Sequence, residues 1–286
     1  MASGLAGGGV FDRAAAAVVW ATAAAVAGVF AWMVGDLVAG GLGGLSWEYL
    51  TQPPRDAGRA GGVGPILVST GLLLAVCLVV AVPIGLATAV VLSEVTRTGG
   101  WSGRLVRLSL DVLAGVPSIV FGLFGNVFFC RVMGLGFSIL SGGLTLACMV
   151  LPIFVRASEV GLRNVPESRR TAAAALSLSR ATTLGKVLIP GAMPGIVVGL
   201  VLGVGRAAAE TAALIFTSGY VDRMPESLYD SGRALSIHIY DLSMNVPGGD
   251  ANAYTAALVL VGLLLIINLT ASAIGARFLK AEVVNV

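Results

Sequence analysis

The sequence predicts an all-α membrane protein with about six transmembrane helices. Hydrophobic residues make up 57% of the chain and charged residues 12%, and the mean hydropathy is +0.93. These values lie well outside the range of an ordinary soluble domain. Apolar runs of about 20 residues, long enough to cross a hydrocarbon core of ~30 Å, recur along the chain. They lie at residues 14–38, 66–92, 112–129, 133–155, 195–216 and 256–274.

The distribution of Lys and Arg predicts that both ends of the chain are cytoplasmic. If the N-terminus lies inside, more than half of the 18 basic residues fall on the cytoplasmic side, as the positive-inside rule requires. The formal net charge of +3 therefore reflects topology, and we expect membrane lipid but no nucleic acid around this chain. The predicted inside residues are Arg13, Arg97, Arg104, Arg107, Arg156, Arg163, Arg169, Arg170, Arg180, Lys186, Arg277 and Lys280.

Residues 1–61 are predicted to form a tail, the first transmembrane helix and an outside loop. Because further spans follow, an uncleaved helix is favoured over a signal peptide.

The second and third apolar runs each contain a proline. Pro83 in the second run and Pro117 in the third remove backbone donors, and each predicts a kink.

Residues 165–190 form a polar and basic insert between two apolar runs. Pro166 and Glu167 suit the first turn of a helix, and Ser179 suits the N-cap of a second short helix. Pro190 is expected to end this helical run. By composition alone the insert is either a basic cytoplasmic loop or a functional element.

Two charged residues interrupt the apolar run 195–216. Arg206 and Glu210 lie about halfway along it, where a charge costs at least ~2.5–3.5 kcal/mol in lipid. On one helix they would share a face at i,i+4. They either bond to neighbouring helices or line a polar path for an anion, since a guanidinium matches the oxygens of phosphate. Arg156 and Glu159 are i,i+3 neighbours on one helix face. They are either a local ion pair in which the arginine snorkels to the membrane interface, or a functional pair.

The insert resembles the coupling loop of ABC importer permeases. The family motif reads E-A-A, three residues, G, nine residues, I-x-L-P. Two positions of this sequence depart from it, with Thr for Glu and Ser for Gly; a Ser with positive φ costs roughly 1–2 kcal/mol. In the family this loop seats in a cleft of the ATPase subunit. The corresponding residues are Thr171, Ala172, Ala173, Ser177, Val187, Ile189 and Pro190.

Three further segments resemble the phosphate-specific members of that family. They read GLATAVVLSE at 85–94, PSIVFGLFG at 117–125 and RAAAETAA at 206–213, where the family reads R-A-x-G-E-T-A-P. Ala209 and Ala213 replace the Gly and the Pro. The resemblance covers roughly 62–277 and implies a type I ABC importer transmembrane domain with its coupling loop at 165–190, followed by a cytoplasmic tail at 278–286.

The resemblance implies the permease subunit of an ATP-driven phosphate importer in a bacterial inner membrane. It implies a second permease chain, in a heterodimer or formally a homodimer, two ATPase subunits and an extracytoplasmic phosphate-binding protein. The alternatives are a permease for molybdate, sulfate or phosphonate, and a channel or secondary carrier that does not use ATP. The implied translocation path contains Arg206, Glu210, Arg156 and Glu159.

No catalytic or metal-binding pattern is present in the sequence. It contains no G-x-x-x-x-G-K-[ST] motif, so ATP is expected on partner subunits and no cofactor on this chain. No HExxH, Ser/His/Asp or Cys/His constellation indicates an enzyme. The spacing of Cys77, Cys130 and Cys148 matches no metal site, and His238, the single histidine, is interpreted as packed or solvated.

Overall fold

The computed structural model describes residues 8–96 and 100–284, so Arg97 and the extreme ends of both predicted tails lie outside the described residues. The described chain is helical apart from the antiparallel strands β1 (Pro54–Arg55) and β2 (Ala60–Gly61). The helices are α1 Gly8–Gly41, α2 Trp47–Thr51, α3 Gly64–Val90, α4 Trp101–Ala114, α5 Ser118–Gly125, α6 Ile139–Arg163, α7 Glu167–Ala175, α8 Arg180–Thr183, α9 Ile189–Ala208, α10 Ala212–Ile215, α11 Leu235–Met244 and α12 Asp250–Val284.

Five helical segments are long and apolar enough to cross a membrane, and a sixth span arises if the bent pair α4 and α5 counts as one. This confirms the predicted all-α membrane fold with about six spans. Short π-helical turns extend three of the helices. The five segments are Asp12–Gly44, Gly64–Val95, Ile139–Arg163, Arg180–Ala208 and Asp250–Ala273, and the π-helical turns are Val91–Val95, Asn126–Val132 and Leu184–Leu188.

The prediction of a single helix at 112–129 is wrong. The chain bends by 100° between α4 and α5, and the break falls at residues 115–117. Pro117 has an extended backbone with ψ of 142° and no N–H, so it begins the new helix instead of continuing the old one. The kink predicted at Pro117 is therefore a complete break, and α4 becomes a separate amphipathic helix.

Two other prolines lie within continuous helix. Pro83 lies inside α3, which continues to Val90, and the kink predicted there stays a prediction. The prediction that Pro190 ends the helical run is wrong, because the chain is helical from Arg180 through Ala208. A π-helical turn ends at Leu188, two residues before Pro190, and its wider hydrogen-bond register accommodates a residue that lacks an N–H.

Helices α3, α6 and α9 form the core. Leu73, Cys77, Leu146 and Phe154 are among the buried residues that join them. The antiparallel helices α6 and α9 approach most closely at two glycines: a Cβ added to Gly195 would lie 2.5 Å from the Cα of Gly161. Only glycine permits this backbone contact, which sets the spacing of the two helices.

The bundle has two distinct ends. At the first, here called the α7 end, the last turns of α3 and α6 meet α4 and α7. At the other, the α11 end, the first turns of α3 and α6 contact the long connection at 209–249. Helix α1 joins this end through the hydrogen bond from the Tyr254 hydroxyl to Asp36, at 2.9 Å.

His238 is buried at the α11 end, which confirms its interpretation as a packed residue. Its ring lies under Gly58, and its Nδ1 is 3.5 Å from Nη1 of Arg233. Arg233 in turn lies 3.4 Å from the carboxylate of Asp241 and donates to the carbonyl oxygen of Tyr220 at 2.8 Å. Burial, assisted by the Arg233 cation, lowers the pKa of His238 to about 4.

Lowering the pH from 7 to 4 should weaken the packing of α11. The folded pKa of His238 is about 4 and its ordinary value is 6.5, so the unfolded segment binds a proton first. The resulting stabilisation, about 3 kcal/mol, is complete above pH 6.5 and is lost as the pH falls towards 4. Hydrogen exchange of the α11 amides measures this change. His238→Gln should reduce the pH dependence, and equal profiles for the two proteins would contradict the assignment.

Candidate functional site

Arg206 lies within the membrane-spanning region of α9. One turn before it, Gly203 packs against Val150, which is next to the middle residue of α6. Arg206 therefore lies near the centre of the bundle's long axis, slightly towards the α11 end. Its side chain is half-buried, and among residues 8–96 and 100–284 no hydrogen bond or ion pair to its guanidinium is present. An unpaired cation at this depth requires a polar surrounding or an anionic ligand.

Glu210 does not share a helix face with Arg206, and this correction changes its role. Helix α9 ends at Ala208, so the predicted helix through residue 216 is wrong. The buried carboxylate of Glu210 accepts the N–H of Ala213 at 3.1 Å, and its main-chain oxygen accepts the Ser236 hydroxyl at 2.5 Å. The carboxylate thus satisfies a buried N–H in the first turn of α10, which allows the short helix to begin directly after the break.

The segment between α9 and α11 has backbone groups that are satisfied by side chains of its own and of other helices. Asn126 donates to the carbonyl oxygen of Phe216 at 2.7 Å, and Thr217 donates to that of Ala213 at 2.8 Å. Thr70 of α3 accepts the N–H of Leu235 at 2.9 Å. Non-helical backbone at membrane depth is tolerated where protein groups bond to it in this way or where it lines an aqueous cavity.

Arg156 and Glu159 belong to a second cluster, at the α7 end. The Glu159 carboxylate is 3% exposed and lies 2.8 Å from Nε of Arg107, 3.1 Å from Nη2 of Arg163 and 3.4 Å from Nη1 of Arg156. Arg107 and Arg163 also donate to the carbonyl oxygen of Leu92, at 3.0 and 3.2 Å. The predicted pair is thus confirmed as neighbours, and α3, α4 and α6 are tied together around one carboxylate.

Asp111 was missed by the sequence analysis. Nη2 of Arg156 lies 2.6 Å from both of its carboxylate oxygens, and Nε lies 3.1 Å from one of them. The available signal was the spacing of Arg104, Arg107 and Asp111, three and four residues apart in an otherwise apolar segment. That spacing places charges on one side of an amphipathic helix, which here is α4.

A largely apolar groove of about 650 Å³ runs between α6 and α9. Arg156 lines it near the α7 end, and Leu202 lines it one turn from Arg206. The contacts between α6 and α9 place Arg206 level with Ala147, so Arg156 lies nine residues further along α6, about 13 Å away. The four predicted path residues therefore form two separate charged positions on the bundle and do not form one site.

The predicted coupling loop consists of α7, a tight turn and α8. The N–H of Leu178 bonds to the carbonyl oxygen of Ala173 at 3.1 Å, and that of Ser177 bonds to Ala174 at 2.9 Å. These two bonds define a Schellman motif, in which the residue after the C-cap is left-handed. Ser177 holds that position with φ of 52°, where the family has Gly. Ser179 caps α8 as predicted by accepting the N–H of Thr182 at 3.2 Å.

The loop is exposed on one side and anchored on the other. Thr171 and Ala172 are exposed, whereas Ala173 is buried. Arg170 anchors α7 by pairing with Glu94 of the π-helical turn after α3 and by donating to the carbonyl oxygen of Leu162 at 2.9 Å. The residues at the end of the motif, Val187, Ile189 and Pro190, are half-buried where the helix enters the bundle.

A bundle of membrane-length helices, an exposed helical loop at one end and an arginine near the end of a span with no partner among the described residues are typical of a multi-pass membrane transport protein. Residues 81–280 match the family described as "Binding-protein-dependent transport system inner membrane component", and the chain belongs to that family. This places it in the inner membrane as a permease.

Curated relatives cover most of the chain. A "Probable ABC transporter permease protein YqgI" of Bacillus subtilis is 28% identical over 96% of this chain and 99% of its own length. The "Phosphate transport system permease protein PstA 1" of Mycobacterium tuberculosis strain H37Rv is 36% identical over 80% of this chain and 74% of its own length. The "Phosphate transport system permease protein PstA" of Mycobacterium leprae is 33% identical over 88% of this chain and 83% of its own length.

Solved structures show the same fold. A chain of the MetNI methionine ABC transporter, in an inward-facing conformation, is 19% identical with a TM-score of 0.57, covering 76% of this chain and 94% of its own. A chain of a bacterial ABC transporter involved in alginate import has a TM-score of 0.59 at 16% identity, and the match covers 90% of this chain and 96% of that chain. These similarities confirm the predicted transmembrane fold of an ABC importer.

Ser177→Gly should stabilise the coupling loop by about 1 kcal/mol, because glycine adopts positive φ without the Cβ clash that serine suffers. Hydrogen exchange of the α7 and α8 amides in the membrane-embedded protein measures the effect, as slower exchange. Ser179→Gly is the matched control, since it removes the α8 cap and should accelerate exchange or leave it nearly unchanged. Faster exchange in Ser177→Gly would show that the serine side chain stabilises the turn.

Proposed function

We propose that this chain is the permease subunit of an ATP-driven phosphate importer and forms part of its translocation path. The single observation behind the proposal is Arg206, in the last turn of α9, level with the middle part of α6 and beside the α6–α9 groove, whose guanidinium has no hydrogen bond or ion pair within the described residues. A guanidinium offers paired N–H donors that match the oxygens of phosphate. Relatives named as phosphate transport permeases, at 33 and 36% identity, support the choice of anion.

The α7 end faces the cytoplasm in this proposal, and both termini lie on that side. Arg104, Arg180 and Lys186 at or near this end support the orientation by the positive-inside rule. Phosphate enters from the α11 end, interacts with Arg206, passes the apolar side chains Val198 and Leu202, and reaches Arg156. Two moderate binding positions suit transport, because an anion that is bound too tightly at one position does not leave.

The partner subunits supply what this chain lacks. Two ATPase subunits bind ATP, and the exposed side of the loop at 165–190, with Thr171 and Ala172, seats on one of them. A second permease chain, in a heterodimer or a homodimer, covers the groove from the opposite side. An extracytoplasmic phosphate-binding protein docks on the α11 end, where residues 209–249, including α10 and α11, connect α9 to α12. In this proposal the chain acts as a transport subunit, and ATP is hydrolysed on the partner ATPase subunits.

Arg206→Gln should reduce phosphate uptake by at least about tenfold, since a charge-assisted hydrogen bond contributes roughly 1.5–3 kcal/mol. Uptake of radiolabelled phosphate is measured with the complete transporter at matched membrane abundance. Arg131→Gln is the control, because Arg131 is exposed and lies outside the groove lining. Unchanged uptake in Arg206→Gln would make Arg206 structural. Competition by sulfate, molybdate and phosphonate distinguishes phosphate transport from the import of another oxyanion.

A further inference from the structure

The bond between Asp111 and Arg156 has the geometry of a bound oxyanion. Two carboxylate oxygens of Asp111 face Nη2 of Arg156 at 2.6 Å, and one also lies 3.1 Å from Nε. We propose that Asp111 is an exchangeable counter-ion, which occupies Arg156 between transport events, gives way to the passing oxyanion and then displaces it towards the cytoplasm. This inference rests on the proposed transport function.

The two carboxylates that face Arg156 differ in their freedom to leave it. Glu159 is 3% exposed and is also held by Arg107 and Arg163, so it cannot move without breaking three ion pairs. The side chain of Asp111 is 58% exposed, and its bond to Arg156 is its ion pair within the described chain. Asp111 therefore has fewer bonds to break than Glu159 when another anion takes its place on Arg156.

Arg156 is also where a moving anion would arrive. It is the charged residue in the described lining of the groove, which otherwise presents apolar side chains such as Ile153, Val160 and Val198. Arg107, Arg156 and Arg163 face the carboxylates of Glu159 and Asp111, so the cluster has one excess positive charge. When Asp111 moves away, the excess rises to two positive charges. The cluster therefore attracts a divalent oxyanion once Asp111 is displaced, and it returns to near balance once Asp111 rebinds.

The position of Asp111 on α4 permits this exchange. The residue lies one turn before the break at 115–117, where the chain turns by 100° into α5. Helix α4 is held to α6 by the buried Arg107–Glu159 pair, one turn away from Asp111. The helix thus stays in place while the Asp111 side chain rotates off Arg156.

Asp111→Asn is the decisive variant, tested in proteoliposomes that contain the complete transporter with its native partner subunits. Without the competing carboxylate the anion stays longer at Arg156, so kcat and KM for phosphate uptake should fall together, each by about threefold. Asp111→Glu keeps the carboxylate and should recover part of the turnover. Asp12→Asn removes an exposed carboxylate at the start of α1 and is the control for lost charge.

The split between kcat and KM separates exchange from structural damage. Unchanged kcat and KM in Asp111→Asn, or a lower kcat with KM unchanged or raised, would overturn the inference. If Asp111→Asn fails to assemble, Arg156→Lys is tested in its place. The lysine ammonium holds an anion less well than the paired N–H donors of arginine, so KM for phosphate should rise. An unaltered KM would overturn the proposal. The same liposomes are tested with sulfate and molybdate. If sulfate or molybdate is transported and phosphate is not, the proposal that phosphate is the substrate fails. The changes in kcat and KM measured with the transported anion still test the role of Asp111.

Discussion

One buried carboxylate organises the α7 end of this protein. Glu159 binds three guanidinium groups from two helices, and two of those arginines reach the same main-chain oxygen, that of Leu92 at the end of α3. A carboxylate this deeply buried is tolerable only because several donors surround it. The ends of α3, α4 and α6 are consequently held in one arrangement, and Arg156 is oriented at the edge of the groove. The loop at 165–190 attaches to the same place through Arg170 and Glu94.

The second constraint is the need to satisfy backbone groups where helices end inside the membrane-spanning region. Helix α9 ends at Ala208 and the chain continues irregularly before α10. Glu210, Asn126 and Thr70 provide the missing donors and acceptors. Arg206 lies in the last turn of α9 and has no such role. Within the described residues these backbone groups are bonded, whereas the guanidinium of Arg206 has no partner. This difference is the physical basis for proposing Arg206 as an anion contact and for giving Glu210 a role in the fold.

The sequence predicts the membrane class, the number of spans and the two short helices of the loop at 165–190, because apolar length and capping residues are local properties. It fails where tertiary partners decide. The apolar run 195–216 looks like one helix, and only the carboxylate of Glu210 and the hydroxyl of Ser236 show why it breaks. The ion pair between Asp111 and Arg156 joins residues 45 positions apart, so no pattern within one helix reveals it. Hydropathy also does not predict α4 as a separate helix, because charged residues such as Arg107, which faces Glu159, lower its mean hydropathy.

The close contact between Gly161 and Gly195 gives the long helical segment Arg180–Ala208 a fulcrum. From that contact the segment extends about 22 Å to the coupling loop and about 16 Å to Arg206. If the segment tilted about that contact as one body, a sideways displacement at its loop end would be reversed in direction at Arg206 and would retain roughly three quarters of its size. A tilt of about 5° moves the guanidinium by about 1.4 Å. Hydrogen bonds weaken over such distances, so under the proposed function a tilt of this size would be enough to make or break the contact between Arg206 and an anion.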